Sequence, residues 1–262
     1  MSTLNLTLRS RPKSAGGGAQ PTESPLSIGA NRVGVIVCDM WDHHWCAGAE
    51  RRVGEIAPVM NRLIHSLRDS GALIIHAPSE TTAFYEGTPA RVRAQNAPVN
   101  EALYEFTRRP LDLVAEGPLP IDDSDSCDDS PSCPIPEKWP WTRQHEAIEI
   151  SDTEAITDSG VEVHNLLKQF GAELVLMMGV HTNMCILARP FGIRRLVGAG
   201  HKVALVRDMT DTMYNSRMRP FINHFRGTDL VVEHIEKHWC STISSDQIVG
   251  GEPFRFAEDS PH

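Results

Sequence analysis

The chain has 262 residues, of which 40% are hydrophobic, 23% charged and 6% aromatic. These proportions are typical of globular proteins and exclude collagen-like, coiled-coil and largely disordered chains. The formal net charge is −9, and there is neither a dense Lys/Arg stripe nor an apolar run of the ~20 residues that span a bilayer, so we expect no nucleic acid and no membrane as partner.

The first thirty residues are polar and contain the glycine run Gly16–Gly18. They lack the apolar stretch of a secretory signal. Leu4, Leu6 and Leu8 alternate with polar residues. This alternation predicts a short edge strand, which a flexible linker would join to the rest of the chain.

Strand and helix patterns alternate after this segment. Val33–Cys38 is a continuous apolar run, which is typical of strands buried on both faces of a sheet. A helical pattern then runs to Gly71. Its apolar positions are Val53, Ile56, Met60, Leu63, Ile64 and Leu67. A second apolar run, Ala72–Ile75, completes a predicted βαβ unit.

The same alternation returns in the second half of the chain. Ser159 and Glu162 form a predicted capping box at the start of a helix that Gly171 ends. Another helix is predicted from about Cys185. The strands predicted in this half are Leu174–Gly179, Val203–Val206 and Leu230–Val232. We therefore predict a doubly wound, mostly parallel sheet, because the hairpin turns of an antiparallel α+β fold are not evident.

Residues 31–262 are predicted to form a single domain with a long insertion around 78–147. Acidic residues surround Cys127 within this insertion. They lack the glycine and glutamate spacing of a calcium loop, so a solvated acidic loop is the better interpretation.

Three segments follow predicted strands, where open parallel sheets bind their ligands. They are Asp39, His76 and Gly179–Cys185. Cys185 would stand at the start of a helix, where free N–H groups favour a thiolate, lower its pKa and can stabilise an oxyanion. The alternative is that Cys185 is a buried structural cysteine, as most free cysteines are.

Val35–Met40, with the sequence VIVCDM, and Gly179–Cys185, with the sequence GVHTNMC, resemble the isochorismatase-like cysteine hydrolase superfamily. Its members include isochorismatases, nicotinamidases and N-carbamoyl amidohydrolases. The resemblance covers roughly residues 33–235. It implies a three-layer α/β/α fold of Rossmann-like type, in which Cys185 is the nucleophile and Asp39 the acid/base.

The resemblance also implies a cis peptide bond between Val180 and His181. This bond would orient the backbone N–H groups of an oxyanion hole in the loop that ends at Met184. The three groups needed for acyl transfer, a carboxylate, a thiol and amide donors, are thus present in the sequence.

The family also uses a lysine after its third strand, and the simplest alignment puts that position near Asp152, where there is no lysine. The nearest upstream cations are Lys138 and Arg143, and either could take its place. An arginine could stabilise a thiolate but could not exchange protons. The alternative is that both are surface cations.

Nicotinamidases bind a metal through an Asp-x-His pair after the second strand, which this sequence does not contain. We expect no cofactor, but Asp42, His44 and His76 could offer a replacement site for a divalent metal such as zinc. The residues expected at the rim of a substrate site are Trp41, His44, His76, Tyr85 and His145.

The expected function is hydrolysis of a small-molecule amide, carbamoyl or related C–N or ester bond through a Cys185 acyl-enzyme. One alternative is hydrolysis of a vinyl ether, as in isochorismatases. Another is a non-catalytic binding or assembly protein, because the family lysine is not at its expected position. The resemblance implies a homo-oligomer, since members of the family commonly self-associate.

Cys127 and Cys133 are close in sequence and could form a disulfide. Localisation is expected to be cytoplasmic by default. A disulfide between these two cysteines would instead indicate an exported or periplasmic protein.

Overall fold

The computed structural model describes residues 2–12, 20–100, 111, 113–131 and 133–259. Its strands are β1 (Thr3–Ser10), β2 (Thr22–Gly29), β3 (Val33–Cys38), β4 (Leu73–Ala77), β5 (Ala155–Ile156), β6 (Leu174–Val180), β7 (Val203–Asp211) and β8 (Ser241–Ile243). Its α-helices are α1 (Ala47–Asp69), α2 (Pro89–Gln95), α3 (Gly160–Phe170), α4 (Cys185–Ala188), α5 (Ile193–Gly198), α6 (His224–His238) and α7 (Asp246–Val249). Among these residues, none of the helices is both long and apolar enough to cross a lipid bilayer.

All eight strands form one sheet in the order β2-β1-β8-β7-β6-β3-β4-β5. Strands β3 to β8 run parallel to one another, and β1 is antiparallel to both of its neighbours. The chain moves from β3 to β4 and β5 on one side, then returns to the other side of β3 with β6. This reversal makes the sheet doubly wound, and it confirms the predicted mostly parallel α/β sheet.

The buried sheet separates two apolar clusters, one on each face. Val33, Val35 and Val37 of β3 contribute to the cluster that contains the apolar face of α1. Ile36 and Cys38 contribute to the opposite cluster, with apolar residues of α3 and α6. Because successive strand residues point to opposite faces, the continuous apolar run of β3 serves both clusters. The three layers implied by the resemblance are present.

Local sequence patterns predicted several helix boundaries correctly. All six apolar positions predicted in α1 are buried. The side chain of Ser159 accepts a hydrogen bond from the Glu162 N–H at the start of α3, and Gly171 ends that helix with a positive φ of 76°. These contacts satisfy backbone groups that a helix end leaves without partners.

The predicted strand Leu230–Val232 is wrong, because these residues lie within α6. Three consecutive apolar residues are compatible with either a strand or a buried helix. The side chain of Asn223 caps α6 by accepting from the Arg226 N–H, and the residues buried along the helix recur at a spacing of three or four. The last strand of the sheet, β8, comes only after this helix.

The N-terminal segment differs from its prediction in two respects. Strand β1 contains Leu4, Leu6 and Leu8, as expected, but it is the second strand from the edge. Residues 22–29, predicted as flexible linker, form β2, which pairs with β1 from Thr3↔Gly29 onwards and is the edge strand. The glycine run lies outside the described residues.

Glu154 connects three elements at the other edge of the sheet, just before the short strand β5. Its carboxylate accepts hydrogen bonds from Arg68 Nε of α1 at 2.7 Å and from the Ser151 N–H at 2.6 Å. It also lies 3.0 Å from His76 Nε2 of β4. Burial raises the pKa of Glu154, but the hydrogen bonds from His76 and Arg68 outweigh this effect and bring that pKa to about 2.

We expect Glu154→Gln to lower the free energy of unfolding at pH 7 by about 2–3 kcal/mol, since an unfolded glutamate has a pKa near 4.3. The carboxylate contributes fully above the unfolded pKa, and this contribution is lost as the pH falls towards the folded pKa. The difference between variant and wild type should therefore shrink below about pH 5 in urea denaturation. Glu149→Gln, at an exposed ion pair with His65, is the control and should change stability little. A Glu154→Gln effect that is independent of pH would contradict this assignment.

Candidate active site

The site lies where the sheet reverses its direction of winding. Cys38, the last residue of β3, is in register with Gly179 of β6. Asp39 and the loop that leads to Cys185 therefore emerge side by side from neighbouring strands. Gly179 has a φ of 116°, and a Cβ there would lie 2.0 Å from the carbonyl oxygen of Cys38. Only glycine allows the two strand ends to approach this closely.

Asp39 is fully buried at the carboxyl end of β3. Its Oδ1 accepts a hydrogen bond from the Ser79 N–H at 2.8 Å, and its Oδ2 accepts one from Arg189 Nε at 2.8 Å. Burial raises the pKa of Asp39, although Arg189, Cys185 and Ser79 all act to lower it. A carboxylate with a raised pKa is a stronger base than an ordinary aspartate.

Cys185 is the first residue of α4, and its thiol lies beside the Asp39 carboxylate. Burial and the charge of Asp39 raise the pKa of the Cys185 thiol, and the opposite effects of Arg189 and the His181 backbone are smaller. The expected lowering of this pKa at a helix start is therefore not found, because burial and the Asp39 charge outweigh the groups that would lower it. The resting thiol keeps its proton beside a carboxylate that can accept it.

Arg189, which was not among the cations predicted from the sequence, is the cation beside Asp39 and Cys185. It lies four residues after Cys185, at the C-terminal cap of α4. This spacing places both side chains on one face of the helical turn. The guanidinium also lies 5.9 Å from the Trp41 ring centroid, and its Nη1 is 3.6 Å from Glu80 Oε1.

The structure does not bring either of the sequence-predicted cations to Asp39. Lys138 is exposed. Arg143 is also exposed, with its Nε 3.9 Å from Asp42 Oδ2. Arg189 occupies the position for which these two residues were considered.

The peptide bond between Val180 and His181 is cis, which is the bond that the resemblance implies. The Met184 N–H donates to the His181 carbonyl oxygen at 3.0 Å, so the loop closes on itself just before Cys185. The backbone of His181 also approaches the Cys185 sulfur.

Side-chain and backbone contacts with the end of β7 hold this loop in place. The Thr182 N–H donates to the Asp211 carbonyl oxygen at 2.9 Å. The Asn183 amide forms two bonds with the backbone of Met213, donating from Nδ2 at 3.2 Å and accepting at Oδ1 at 3.0 Å. Two residues that precede Cys185 in the motif are thus fixed by hydrogen bonds to the segment that ends β7.

The side chain of His44 contacts that of His181 in the loop before Cys185. Its Nδ1 accepts from the Cys46 N–H at 3.1 Å, and its Nε2 lies 3.3 Å from His181 Nε2. Burial lowers the pKa of His44 to about 4. A neutral His44 that accepts at Nδ1 carries its proton on Nε2 and donates it to His181.

Asp42, His44 and His76, considered as a metal site, contact different partners and do not meet at one point. Asp42 accepts from the Thr142 N–H at 2.8 Å. The two ring nitrogens of His76 lie 3.1 Å from Gln144 Oε1 and 3.0 Å from Glu154 Oε2.

Tryptophan rings form a wall beside Asp39 and Arg189. Trp41 stacks on Trp141 at a centroid distance of 4.2 Å, and Trp139 stacks on Trp141 at 4.9 Å. The Trp41 Nε1 donates to the Ser79 carbonyl oxygen at 3.0 Å, which links the wall to the segment that binds Asp39.

The remaining rim candidates occupy different places. Tyr85 is buried, and its hydroxyl accepts from the Gln144 N–H at 2.8 Å, so it supports the segment that carries Trp141. His44 and His145 line a surface cavity of about 440 Å³ together with Asp42. His76, in β4, is fully buried and does not lie at the rim of the candidate site.

Neither a protein-family model nor a curated protein matches this sequence. Solved structures do match. A cysteine hydrolase from Pseudomonas syringae pv. phaseolicola 1448A aligns with a TM-score of 0.51 over 85% of this chain and 92% of its own, at 16% identity. An isochorismatase from Pseudomonas putida KT2440 aligns with a TM-score of 0.50 over 84% of this chain and 91% of its own, at 14% identity. The chain has the isochorismatase-like hydrolase fold. Because one fold supports many reactions, the residues of the site indicate the chemistry more closely than the fold does.

We expect Arg189→Gln to slow the alkylation of Cys185 by iodoacetamide at a fixed pH of about 8 by about tenfold or more, because the charge that opposes the raised thiol pKa is removed and less thiolate is present. Peptide mapping by mass spectrometry would measure the rate at Cys185. Arg143→Gln is the matched control and should leave this rate unchanged. A slower rate in the control but not in Arg189→Gln would assign the cation to Arg143 instead.

Proposed function

We propose that this protein is a cysteine hydrolase that cleaves a small-molecule amide, carbamoyl or related C–N or ester bond. Cys185 would form the acyl-enzyme, and Asp39 would act as the acid/base. The observation that supports this most directly is the position of the buried Asp39 carboxylate, between the thiol of Cys185 and the guanidinium of Arg189. A nucleophile and an adjacent base are groups that acyl transfer needs, and the fixed cation offsets the negative charge that they share.

In the first half of the proposed reaction, Asp39 accepts the Cys185 proton as the sulfur attacks the substrate carbonyl carbon. Backbone N–H groups of the loop Val180–Cys185 stabilise the oxyanion that forms. The intermediate collapses to a thioester, and Asp39 returns the proton to the departing nitrogen or oxygen. In the second half, Asp39 takes a proton from water, the resulting hydroxide attacks the thioester, and Cys185 leaves and is reprotonated.

Arg189 has an electrostatic role in this proposal. The negative charge of the pair lies on Asp39 before proton transfer and on the Cys185 sulfur after it, and a buried anion in either place needs a nearby cation to offset it. An arginine remains charged throughout, whereas a lysine could release a proton. All proton transfer in the site is therefore assigned to Asp39.

The walls of the site favour a small, planar substrate. The stacked Trp41 and Trp141 rings provide a flat apolar surface next to the Asp39–Arg189 pair. Glu80, whose carboxylate lies 3.6 Å from Arg189 and accepts from Trp141 Nε1 at 3.3 Å, adds one polar group at the same wall. A flat acyl group with one hydrogen-bond donor would complement this surface.

We expect Cys185→Ala to reduce kcat for any amide or ester substrate by at least about 10³-fold, because the covalent step is lost. Asp39→Asn should have an effect of similar size. Hydrolysis would be measured on a panel of small amides that includes nicotinamide and N-carbamoyl amino acids. Cys240→Ala, which removes a thiol outside the site, is the control and should stay within about twofold of wild type.

Mass spectrometry after rapid acid quenching should find the acyl group on the Cys185 peptide and none in the Cys185→Ala variant. Hydrolysis that persists in Cys185→Ala on a vinyl ether substrate would support the isochorismatase-type alternative, which needs no covalent cysteine. An adduct that survives the substitution would contradict the proposed nucleophile. No turnover on the panel, with Cys185 no more reactive than a free thiol, would favour a non-catalytic protein.

A further inference from the structure

Three cysteines outside the Asp39–Cys185 pair lie around the carboxylate of Asp129, which two of them contact. Cys46 precedes α1, while Cys127, Asp129 and Cys133 belong to the insertion. The sulfurs of Cys46 and Cys127 and a carboxylate oxygen of Asp129 lie within 4.8 Å of one another. Cys133 Sγ is 3.0 Å from Asp129 Oδ2, and Cys127 Sγ is 3.4 Å from the same oxygen. We call these four residues the thiol cluster.

We propose that the thiol cluster binds a zinc-class transition metal ion, with three sulfur ligands and one carboxylate oxygen. Zinc in structural sites takes four ligands in a tetrahedral arrangement, most often with cysteine sulfur in the majority. Sulfur ligands also exclude magnesium and calcium, which prefer oxygen. The cysteines that the sequence left as a disulfide candidate are free thiols in the structure.

Hydrogen bonds from the backbone already orient two of the proposed ligands. The Cys133 N–H points to Cys127 Sγ at 3.3 Å, a contact that stabilises negative charge on the sulfur. The N–H groups of Ala47 and Gly48 donate to the Asp129 carboxylate at 2.8 and 2.9 Å. Such outer contacts fix the direction of metal ligands and tune their affinity.

The surrounding charges also suit a cluster of anionic ligands. The cluster lies at the N-terminus of α1, a helix of 23 residues whose dipole favours negative charge at this end. Asp128 Oδ1 is 3.4 Å from Cys46 Sγ. Without a cationic partner, this carboxylate would add to the negative charge of the thiol cluster. Asp128 is neutralised by the buried Arg52, whose Nη1 and Nη2 donate to its carboxylate at 2.8 and 3.2 Å.

The bound ion would have a structural role. It would join the acidic loop of the insertion to the first turn of α1. The apolar contacts of Cys46 and Cys127 include Met213 and Met184, the residue before Cys185. The ion would therefore support the loop Val180–Cys185 through the packing of Met184, without contacting the substrate. None of its proposed ligands is a proposed catalytic residue.

The experiment uses the full-length protein, prepared under reducing conditions and stripped of metal with a chelator. Titration with Co²⁺ should give about one bound ion per chain, with thiolate-to-cobalt charge-transfer absorption and the visible bands of tetrahedral cobalt. Zinc should displace the cobalt and abolish both signals. Absence of thiolate-to-cobalt absorption in the wild-type protein would overturn the proposal, whatever the variants do.

Single variants Cys46→Ser, Cys127→Ser and Cys133→Ser should each lose about a third of the charge-transfer intensity and bind zinc at least about tenfold more weakly. Cys240→Ser and Cys185→Ser are the controls and should keep the full signal. The second control separates this proposal from the proposed catalysis, because it abolishes the nucleophile only. Equal loss of the signal in the controls would contradict the site. So would a Cys127–Cys133 disulfide, found by mass spectrometry as the loss of two hydrogens, that persists in the metal-free protein after treatment with reductant.

Discussion

The buried carboxylate of Asp39 is the constraint on which the arrangement of the site depends. A carboxylate without solvent is stable only if neighbouring groups supply hydrogen bonds and positive charge. The Ser79 N–H comes from the segment after β4, and the Arg189 guanidinium comes from the end of α4. Three separate elements must therefore meet at the end of β3. Since Arg189 shares its helical turn with Cys185, satisfying the carboxylate also places the thiol.

A second buried ion cluster, at the end of β7, supports the loop Val180–Cys185. Asp211, at the end of β7, accepts from Arg52 Nε at 2.8 Å and lies 2.8 Å from His224 Nε2. Burial raises the pKa of Asp211, but His224 and Arg52 outweigh this and hold it well below its usual range. The backbone carbonyl of Asp211 then receives the Thr182 N–H. The loop thus lies between the ends of β3 and β7. At these two ends Asp39 and Asp211 are each paired with a cationic side chain.

The expectation that the acidic loop around Cys127 is merely solvated is also wrong. Asp123 accepts from Asn183 Nδ2 at 2.9 Å, and Asp128 pairs with Arg52. These contacts join the insertion to the active-site loop and to α1. Sequence composition alone shows that such residues are acidic, but their partners lie about 60 to 80 positions away in the chain.

The features that followed from the sequence are those with a local cause. The apolar runs of β3 and β6, the apolar face of α1 and the Ser159 cap all depend on residues a few positions apart. The strand predicted at Leu230–Val232 was wrong because three consecutive apolar residues are too few to distinguish the spacing of a helix from that of a strand. Arg189 was missed because the family lysine comes from upstream, although a basic residue four positions after Cys185 was visible.

Both edges of the sheet are unfavourable places for a further strand. Strand β2, at one edge, contains Pro25, and β5, at the other, has only two residues. Proline lacks a backbone N–H donor, and a two-residue strand offers almost no backbone with which another strand can pair. Both features therefore disfavour edge-to-edge association of sheets. A continuous sheet that crosses from one copy of the chain to another is therefore disfavoured. If copies of this protein associate, we expect the contact to form through helices and loops, with each sheet remaining a separate unit.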